Sequence, residues 1–174
     1  MQDILVVIDM QNDFIDGALG TSEACAIVPR IKDKIETFAG KVFFTRDTHD
    51  ENYLDTLEGK NLPVPHCLKG SDGWQIHPAL EKLRKTKAID KPSFGSVELA
   101  EVLRAEHEQN PLSSITFVGV CTDICVISNA LLVKAHLPEV PLIVDADLCA
   151  GVTKESHEVA LAAMSACQII IKHS

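Results

Sequence analysis

Short apolar runs alternate with amphipathic segments along this chain, and that alternation limits the folds it can adopt. Residues 4–8, 115–120 and 142–145 are apolar and rich in β-branched side chains, as is typical of strands buried on both faces. Segments with helical spacing lie between or after these runs, at residues 22–38, 97–107 and 153–165. Strands that alternate with helices predict an α/β fold, in which helices cover both faces of a parallel sheet.

The size and charge of the chain exclude several classes of protein. Its 174 residues suit a single domain spanning residues 1–174, and no linker or internal repeat divides them. The net charge is −9 and there is no basic run, which argues against a nucleic-acid or anionic-membrane partner. The N-terminus lacks the features of a signal peptide, no stretch approaches the length of a membrane span, and the six cysteines are scattered. We therefore expect a soluble, cytoplasmic protein with free thiols.

Residues 117–125 carry the first chemical signal. An apolar strand passes through Gly119 into a helix, for which Thr122 or Asp123 is the predicted N-cap and Cys125 the first helical residue. A thiol at a helix N-terminus meets free N–H groups and the positive end of the dipole, which lower its pKa and could hold an oxyanion. The alternative is that Cys125 is a small, inert core residue.

Four chemically capable side chains are expected at the carboxyl ends of the strands, where ligands bind in parallel sheets. They are Asp9, Asp47, Lys91 and Cys125. A thiol, a carboxylate and an ammonium group make a nucleophilic set, in which Asp9 accepts the proton of Cys125 and Lys91 keeps Asp9 ionised. The alternative for each residue alone is a structural role: Asp9 could simply cap a loop, and Lys91 could be a solvated strand end.

A second constellation lies in the long polar segment at residues 47–75. Asp47 and His49 are two residues apart at a strand end and can reach one metal ion, while His66 can supply a third ligand from the loop. Glu58 is the fourth ligand expected from spacing, with Asp55 as the reserve. Loops of this length are uncommon in compact domains unless they bind something or are disordered.

Five blocks of this sequence, in order, resemble the isochorismatase-like cysteine hydrolases, and within them the nicotinamidase branch. The blocks span nearly the whole chain, and they are Val7–Phe14, Thr45–His49, Pro65–Gly70, Lys91–Phe94 and Gly119–Val126. The resemblance implies a three-layer α/β/α sandwich around a six-stranded, mostly parallel sheet. It also implies a catalytic triad of Asp9, Lys91 and Cys125, with Cys125 as the nucleophile.

The resemblance further implies a cis peptide between Val120 and Cys121, with the backbone N–H groups of Cys121 and Cys125 forming an oxyanion hole. By the same resemblance, Asp47, His49 and His66 match a metal site for zinc or a similar divalent ion, with manganese or iron as alternatives. The metal holds the pyridine nitrogen of the substrate in those enzymes.

Substrate contacts are only partly matched by the resemblance. Phe14 matches the aromatic residue that packs against the pyridine ring. A second aromatic residue expected before the metal-binding histidine is missing, because Pro63 and Val64 stand there. Trp74 is our candidate for that role, and Tyr53 is another.

The sequence therefore predicts a metal-assisted amidohydrolase that converts nicotinamide to nicotinate and ammonia. Another small amide, ureide or carbamoyl substrate is the first alternative. A non-enzymatic redox pair of Cys121 and Cys125 is a remote one, since their spacing is not the CxxC pattern of disulfide exchangers. We also expect a homo-oligomer, although its contacts cannot be read from one chain.

Overall fold

A computed structural model describes all residues, 1–174, as a parallel sheet with helices on both faces. The sheet has six strands in the order β3-β2-β1-β4-β5-β6, and every neighbouring pair is parallel. The strands are β1 (Gln2–Ile8), β2 (Lys41–Asp47), β3 (Ile89–Lys91), β4 (Leu112–Val120), β5 (Leu142–Ala150) and β6 (Ile170–Lys172). The predicted α/β sandwich is confirmed, with a sheet that is entirely parallel.

Alternate side chains of each central strand pack into two separate apolar cores, one on each face of the sheet. On β1, Ile4, Val6 and Ile8 belong to one apolar cluster, and Leu5 and Val7 belong to the other. All five side chains are fully buried, which explains why the strand is a continuous apolar run rather than an alternating one.

Seven helices complete the layers. They are α1 (Asn12–Ile15), α2 (Ser22–Thr37), α3 (Leu57–Asn61), α4 (Pro78–Glu81), α5 (Val97–Gln109), α6 (Ile127–His136) and α7 (Lys154–Ala166). Helices α5, α6 and α7 bury apolar side chains in the first cluster, while α1, α2 and α4 do so in the second. No helix is long and apolar enough to cross a membrane.

Two features of the elements differ from expectation for physical reasons. Ser22 opens the helical pattern and was the expected N-cap of α2, but the cap is Thr21, whose side chain accepts from the amide of Ala24. Strand β5 runs to Ala150, five residues beyond the apolar segment, and it includes the fully buried Asp145. That carboxylate is paired with Lys34 of α2 at 3.4 Å, a partner that lies over a hundred residues away in sequence.

Candidate active site

The carboxyl ends of four adjacent strands meet at one edge of the sheet and carry the predicted residues. Asp9 follows β1, Asp47 ends β2 and Lys91 ends β3, while β4 leads through Cys121 to Cys125. Close approach of β4 to β1 requires Gly119, because a Cβ there would lie 2.1 Å from the carbonyl oxygen of Ile8. The order of strands therefore gathers residues that are far apart in sequence.

Lys91 lies at the centre of this cluster and is fully buried. Its Nζ lies 2.6 Å from Oδ2 of Asp9, 3.2 Å from Oδ1 of Asp47 and 3.4 Å from Sγ of Cys125. Burial disfavours the ammonium form, but the charge of Asp9, that of Cys125 when its thiol is ionised, and that of Asp47 outweigh it and raise the pKa of Lys91. The ammonium group is therefore positioned between both carboxylates and the sulfur.

Asp9 is held from its other side by Thr45. The hydroxyl of Thr45 donates to Oδ1 of Asp9 at 2.6 Å and accepts from the Asp9 amide at 3.2 Å. Asp9 adopts a left-handed backbone conformation with φ of 47°, which aspartate tolerates better than most residues. Burial raises the pKa of the Asp9 carboxyl, against the opposing charge of Lys91, so this carboxylate is more basic than an exposed one.

The sequence predicted Cys125 as the first residue of its helix, but the helical segment begins earlier. A π-helical turn at Thr122–Val126 precedes α6, and its N-cap is Cys121. The candidate caps are used elsewhere, since Thr122 hydrogen-bonds to His157 and Asp123 accepts from the Val152 amide. The predicted N-cap is therefore wrong, and Cys125 is the fourth residue of the helical segment.

The pKa of the Cys125 thiol also departs from the prediction. Burial, followed by the charge of Asp9, raises this pKa well above its usual range, although Lys91 opposes the shift. The resting side chain is therefore a thiol, and it needs a base to become a nucleophile. Asp9 lies beside the same ammonium group, and its pKa is raised, so it is the candidate base for Cys125.

The peptide bond between Val120 and Cys121 is cis, as the resemblance implied. The Cys121 thiol is a poor nucleophile, because burial raises its pKa to about 12. Whether the backbone N–H groups of Cys121 and Cys125 act as an oxyanion hole stays a prediction.

Next to Asp9, Lys91 and Cys125 lies a cluster of four side chains that could hold a metal ion: Asp47, His49, Glu58 and His66. One ligand atom from each lies within 4.8 Å of every other. Oδ2 of Asp47 is 2.9 Å from Nε2 of His49 and 3.5 Å from Nε2 of His66, and Oε1 of Glu58 is 3.5 Å and 3.7 Å from the same two nitrogens. Glu58, the first choice by spacing, belongs to the cluster, and Asp55 does not.

Backbone pairing in the long loop explains how His66 reaches His49. The amide of His49 donates to Cys67, and the amide of Lys69 donates back to His49, so residues 67–69 run alongside the end of β2. Helix α3 projects Glu58 over the same point, because Thr56 caps it through the amide of Gly59.

The chemistry of this cluster fits a divalent ion. Two imidazole nitrogens and two carboxylates are the ligand set that zinc accepts. Nδ1 of His66 lies 2.8 Å from the carbonyl oxygen of Val64, a pairing that leaves Nε2 free as the ligand atom. Despite burial, the neighbouring imidazoles and Lys91 lower the pKa of Asp47, so it is ionised as a metal ligand must be.

The predicted substrate-contact residues differ in their surroundings. Phe14 lies against the metal cluster, with its ring centroid 5.5 Å from that of His66. The indole of Trp74 packs under the guanidinium of Arg46 at 3.6 Å and donates to Thr48. Tyr53 is buried against both histidine rings at 4.6 Å and 5.0 Å. Substrate contact by Phe14 and Trp74 remains a prediction.

Two further buried polar residues, Gln11 and Thr45, hydrogen-bond to residues of the site and were not predicted from the sequence. The side-chain amide of Gln11 donates to the carbonyl of Asp47 and accepts from its N–H, so that it pairs with the backbone of this metal-cluster residue. It also donates to the carbonyl of Trp74. Both residues stand within two positions of Asp9 or Asp47 in the matching blocks, which was the available signal.

Comparison with known proteins identifies the family. The isochorismatase domain family matches residues 3–173. A nicotinamidase/pyrazinamidase of Mycobacterium tuberculosis is 27% identical, with 92% of each chain covered, and an uncharacterised isochorismatase family protein, PncA, of Bacillus subtilis is 30% identical over 92% of this chain and 93% of that protein. The crystal structure of a Pyrococcus horikoshii pyrazinamidase in complex with zinc superposes over 100% of both chains with a TM-score of 0.82 and 28% identity. From the arrangement of its site and these matches, the chain belongs to the isochorismatase family.

Proposed function

We propose that this protein is a nicotinamidase, a cysteine amidohydrolase that releases nicotinate and ammonia from nicotinamide. The observation that carries the proposal is the contact between the triad and the metal cluster through one carboxylate. Oδ1 of Asp47 lies 3.2 Å from Lys91, and Oδ2 of Asp47 lies 2.9 Å from His49. The relatives named for nicotinamide or pyrazinamide hydrolysis support the same substrate class.

The first half of the reaction forms a thioester. Asp9 takes the proton of the Cys125 thiol, and the sulfur attacks the carboxamide carbon. The resulting oxyanion is held by the backbone N–H groups of Cys121 and Cys125. The C–N bond then breaks, and the amine departs as ammonia with the proton carried by Asp9.

The second half returns the enzyme to its starting state. Asp9, again a carboxylate, removes a proton from water as that water attacks the thioester carbon. The C–S bond breaks, nicotinate is released, and Cys125 regains its proton. Lys91 keeps its positive charge throughout and stabilises the ionised forms of both Asp9 and Cys125.

The four-residue cluster would hold a divalent ion through Asp47, His49, Glu58 and His66. When bound, such an ion offers a coordination position for the ring nitrogen of a pyridine carboxamide. Phe14 lies beside His66 and offers a ring face to the same substrate. This arrangement favours a heteroaromatic amide with a ring nitrogen over an aliphatic amide.

Ammonia release from nicotinamide tests the proposal. We expect turnover of nicotinamide to exceed that of benzamide, which lacks the ring nitrogen, and to fall on chelation. Cys125→Ala should lower kcat by at least about 10⁴-fold, as removal of a nucleophile does in other hydrolases. Cys121→Ala is the matched control and should keep its activity, because only the backbone of that residue takes part.

Two results would contradict the proposal. Equal turnover of nicotinamide and benzamide would remove the role of the ring nitrogen. Loss of activity in Cys121→Ala together with Cys125→Ala would instead favour a redox pair of thiols.

We propose further that the protein works in the cytoplasm as a homo-oligomer. All six cysteines are free, as is usual for proteins of a reducing compartment. Several large apolar side chains are exposed, including those of Leu57, Val97 and Val159. Analytical ultracentrifugation at micromolar concentration tests association, and a single monomeric species there would contradict it.

A further inference from the structure

Asn129 is a fully buried polar side chain in α6, one helical turn after Cys125. A buried amide destabilises a fold unless its polar atoms are hydrogen-bonded. Every polar atom of this amide has a partner. Nδ2 donates to the carbonyl of Cys125 at 2.7 Å and to the carbonyl of Phe94 at 3.0 Å, and Oδ1 accepts from the Ser96 amide at 2.9 Å.

These three bonds join two parts of the candidate active site that are distant in sequence. One part is the helical turn that carries the nucleophile. The other is the segment 92–96, which follows Lys91 and leads into α5. Asn129 bonds both ends of a short stretch of that segment, at Phe94 and at Ser96, so the segment cannot shift along α6 without breaking a bond.

The same segment also orients the ammonium group of Lys91. The carbonyl of Ser93, next to Phe94, accepts from Nζ of Lys91 at 3.2 Å. An ammonium group has three N–H donors, and those of Lys91 bond to Asp47, Ser93 and Cys125, while the carboxylate of Asp9 lies 2.6 Å from Nζ as an ion pair. Movement of the Ser93 carbonyl therefore changes how the donors are shared, and the sulfur contact is the longest of the four.

We propose that Asn129 is a positioning residue that fixes Lys91 relative to the Cys125 sulfur by binding segment 92–96 to the nucleophile turn. This role rests on the proposed hydrolase function for its kinetic effect. Asn129 does not touch the substrate. It acts through the carbonyls of Phe94 and Cys125 and through the Ser96 amide.

Two substitutions remove the link in different ways. Asn129→Leu keeps a similar volume and removes all three bonds. Asn129→Asp keeps the shape and the acceptor for Ser96 but removes the donor for both carbonyls. The matched control is Val133→Ala, a fully buried residue one turn further along α6, whose substitution disturbs the apolar core and removes no side-chain hydrogen bond to segment 92–96.

The expected result separates positioning from stability. Both Asn129 variants should lower kcat for nicotinamide by roughly 10- to 100-fold, the size expected when catalytic groups are misplaced by about 1 Å. Their KM should change by less than about twofold, because Asn129 makes no hydrogen bond to the metal cluster or to Phe14. Val133→Ala should lower the melting temperature without a comparable loss of kcat.

A second measurement does not depend on the substrate. The rate of alkylation of Cys125 by iodoacetamide, followed by peptide mass spectrometry, reports how well Lys91 supports the thiolate. It should fall in both Asn129 variants and not in Val133→Ala. If wild-type protein releases no ammonia from nicotinamide but the alkylation rates behave as expected, the proposed function fails while the positioning role stands.

Other results would overturn the positioning role. These are kcat and alkylation rates in folded Asn129→Leu or Asn129→Asp that equal those of Val133→Ala, or a loss confined to KM. If Asn129→Leu fails to fold, Asn129→Ala decides the matter, because it removes the same three bonds and adds no charge beside Cys125.

Discussion

At the scale of single residues, the site depends on buried polar side chains that pair with one another. Asp9 has one oxygen beside Lys91 and the other bonded to Thr45. Because Asp9 is completely buried, each of these contacts decides how its charge is tolerated. Thr45 thus fixes which oxygen of Asp9 faces the ammonium group.

Thr45→Val tests this role, since valine has nearly the same shape and no hydroxyl. We expect a loss of stability of about 1–3 kcal/mol, the range for leaving a buried polar group unsatisfied, together with a lower kcat. Urea denaturation and steady-state kinetics measure the two effects. Thr116→Val on β4 is the control, because Thr116 is also buried but lies in the middle of its strand, away from the carboxyl end that carries the site. Equal behaviour of the two variants would contradict the role of Thr45.

The residues of the site were largely predictable, but their protonation was not. Asp9, Lys91 and Cys125 follow apolar strands in the sequence, which is why the topology brings them together. A lowered pKa was expected for Cys125 from its position in the helix alone. Burial acts in the opposite direction, and its extent depends on packing in the first apolar cluster, which no local sequence pattern reveals.

At the scale of elements, short helices and loop pairings complete the metal cluster. Helix α3 has only five residues and carries Glu58, whose side chain is 22% exposed, whereas the other three ligands are nearly buried. Spacing favoured Glu58 over Asp55 but left both open. The choice depends on the 3₁₀ turn at Tyr53–Asp55, which the sequence did not predict.

Glu58→Gln should therefore weaken zinc binding by at least about tenfold, because a carboxylate ligand is replaced by a neutral amide. Asp55→Asn is the matched control, one turn away and outside the cluster. Competition with a chromophoric chelator measures both affinities. Similar weakening in Asp55→Asn, or none in Glu58→Gln, would show that the fourth ligand has been misassigned.

The contact between β1 and β4 gives a second prediction at this scale. Gly119 has φ of 119°, and a Cβ there would lie 2.1 Å from the Ile8 carbonyl oxygen, so Gly119→Ala combines an unfavourable conformation with a backbone collision. We expect a loss of at least about 3 kcal/mol, at the severe end for single substitutions.

Gly70→Ala separates the two causes of that loss. Gly70 also has positive φ, 85°, but nothing lies within 4 Å of its Cβ position. It should lose only about 1–2 kcal/mol from conformation. Chemical denaturation of both variants makes the comparison, and equal losses would mean that the collision is relieved by small shifts.

At the scale of the whole molecule, the metal cluster connects β2 to the long loop and so contributes to global stability when occupied. A ligand that binds only the folded protein stabilises it by about 2.7 kcal/mol at one hundred times its Kd. For a chain of this size, that is a rise in melting temperature of roughly 5–11 °C.

Thermal unfolding of chelator-treated protein with and without added zinc measures the rise. Asp47→Asn should lose most of it, since one ligand is then neutral. A melting temperature that zinc does not alter in the wild type would contradict the site.

The layered fold as a whole was predictable because the apolar runs are continuous, which marks a sheet buried on both faces. Strand ends were harder to predict. Polar residues such as Asp145 lie inside β5, and their partners come from other elements. Such long-range pairing affects where a strand stops. It cannot be read from a short stretch of sequence, because the partner lies far away in the chain.

The two oxygens of Asp47 face different halves of the site, one towards Lys91 and one towards the histidines. This carboxylate therefore joins the metal cluster to Lys91, so that neither part can change independently of the other. A descendant of this protein that abandoned its ion could not simply discard the aspartate, because the lysine would lose a counter-charge at the same moment. A substitution at Asp47 that altered ion binding would therefore also alter the surroundings of Lys91.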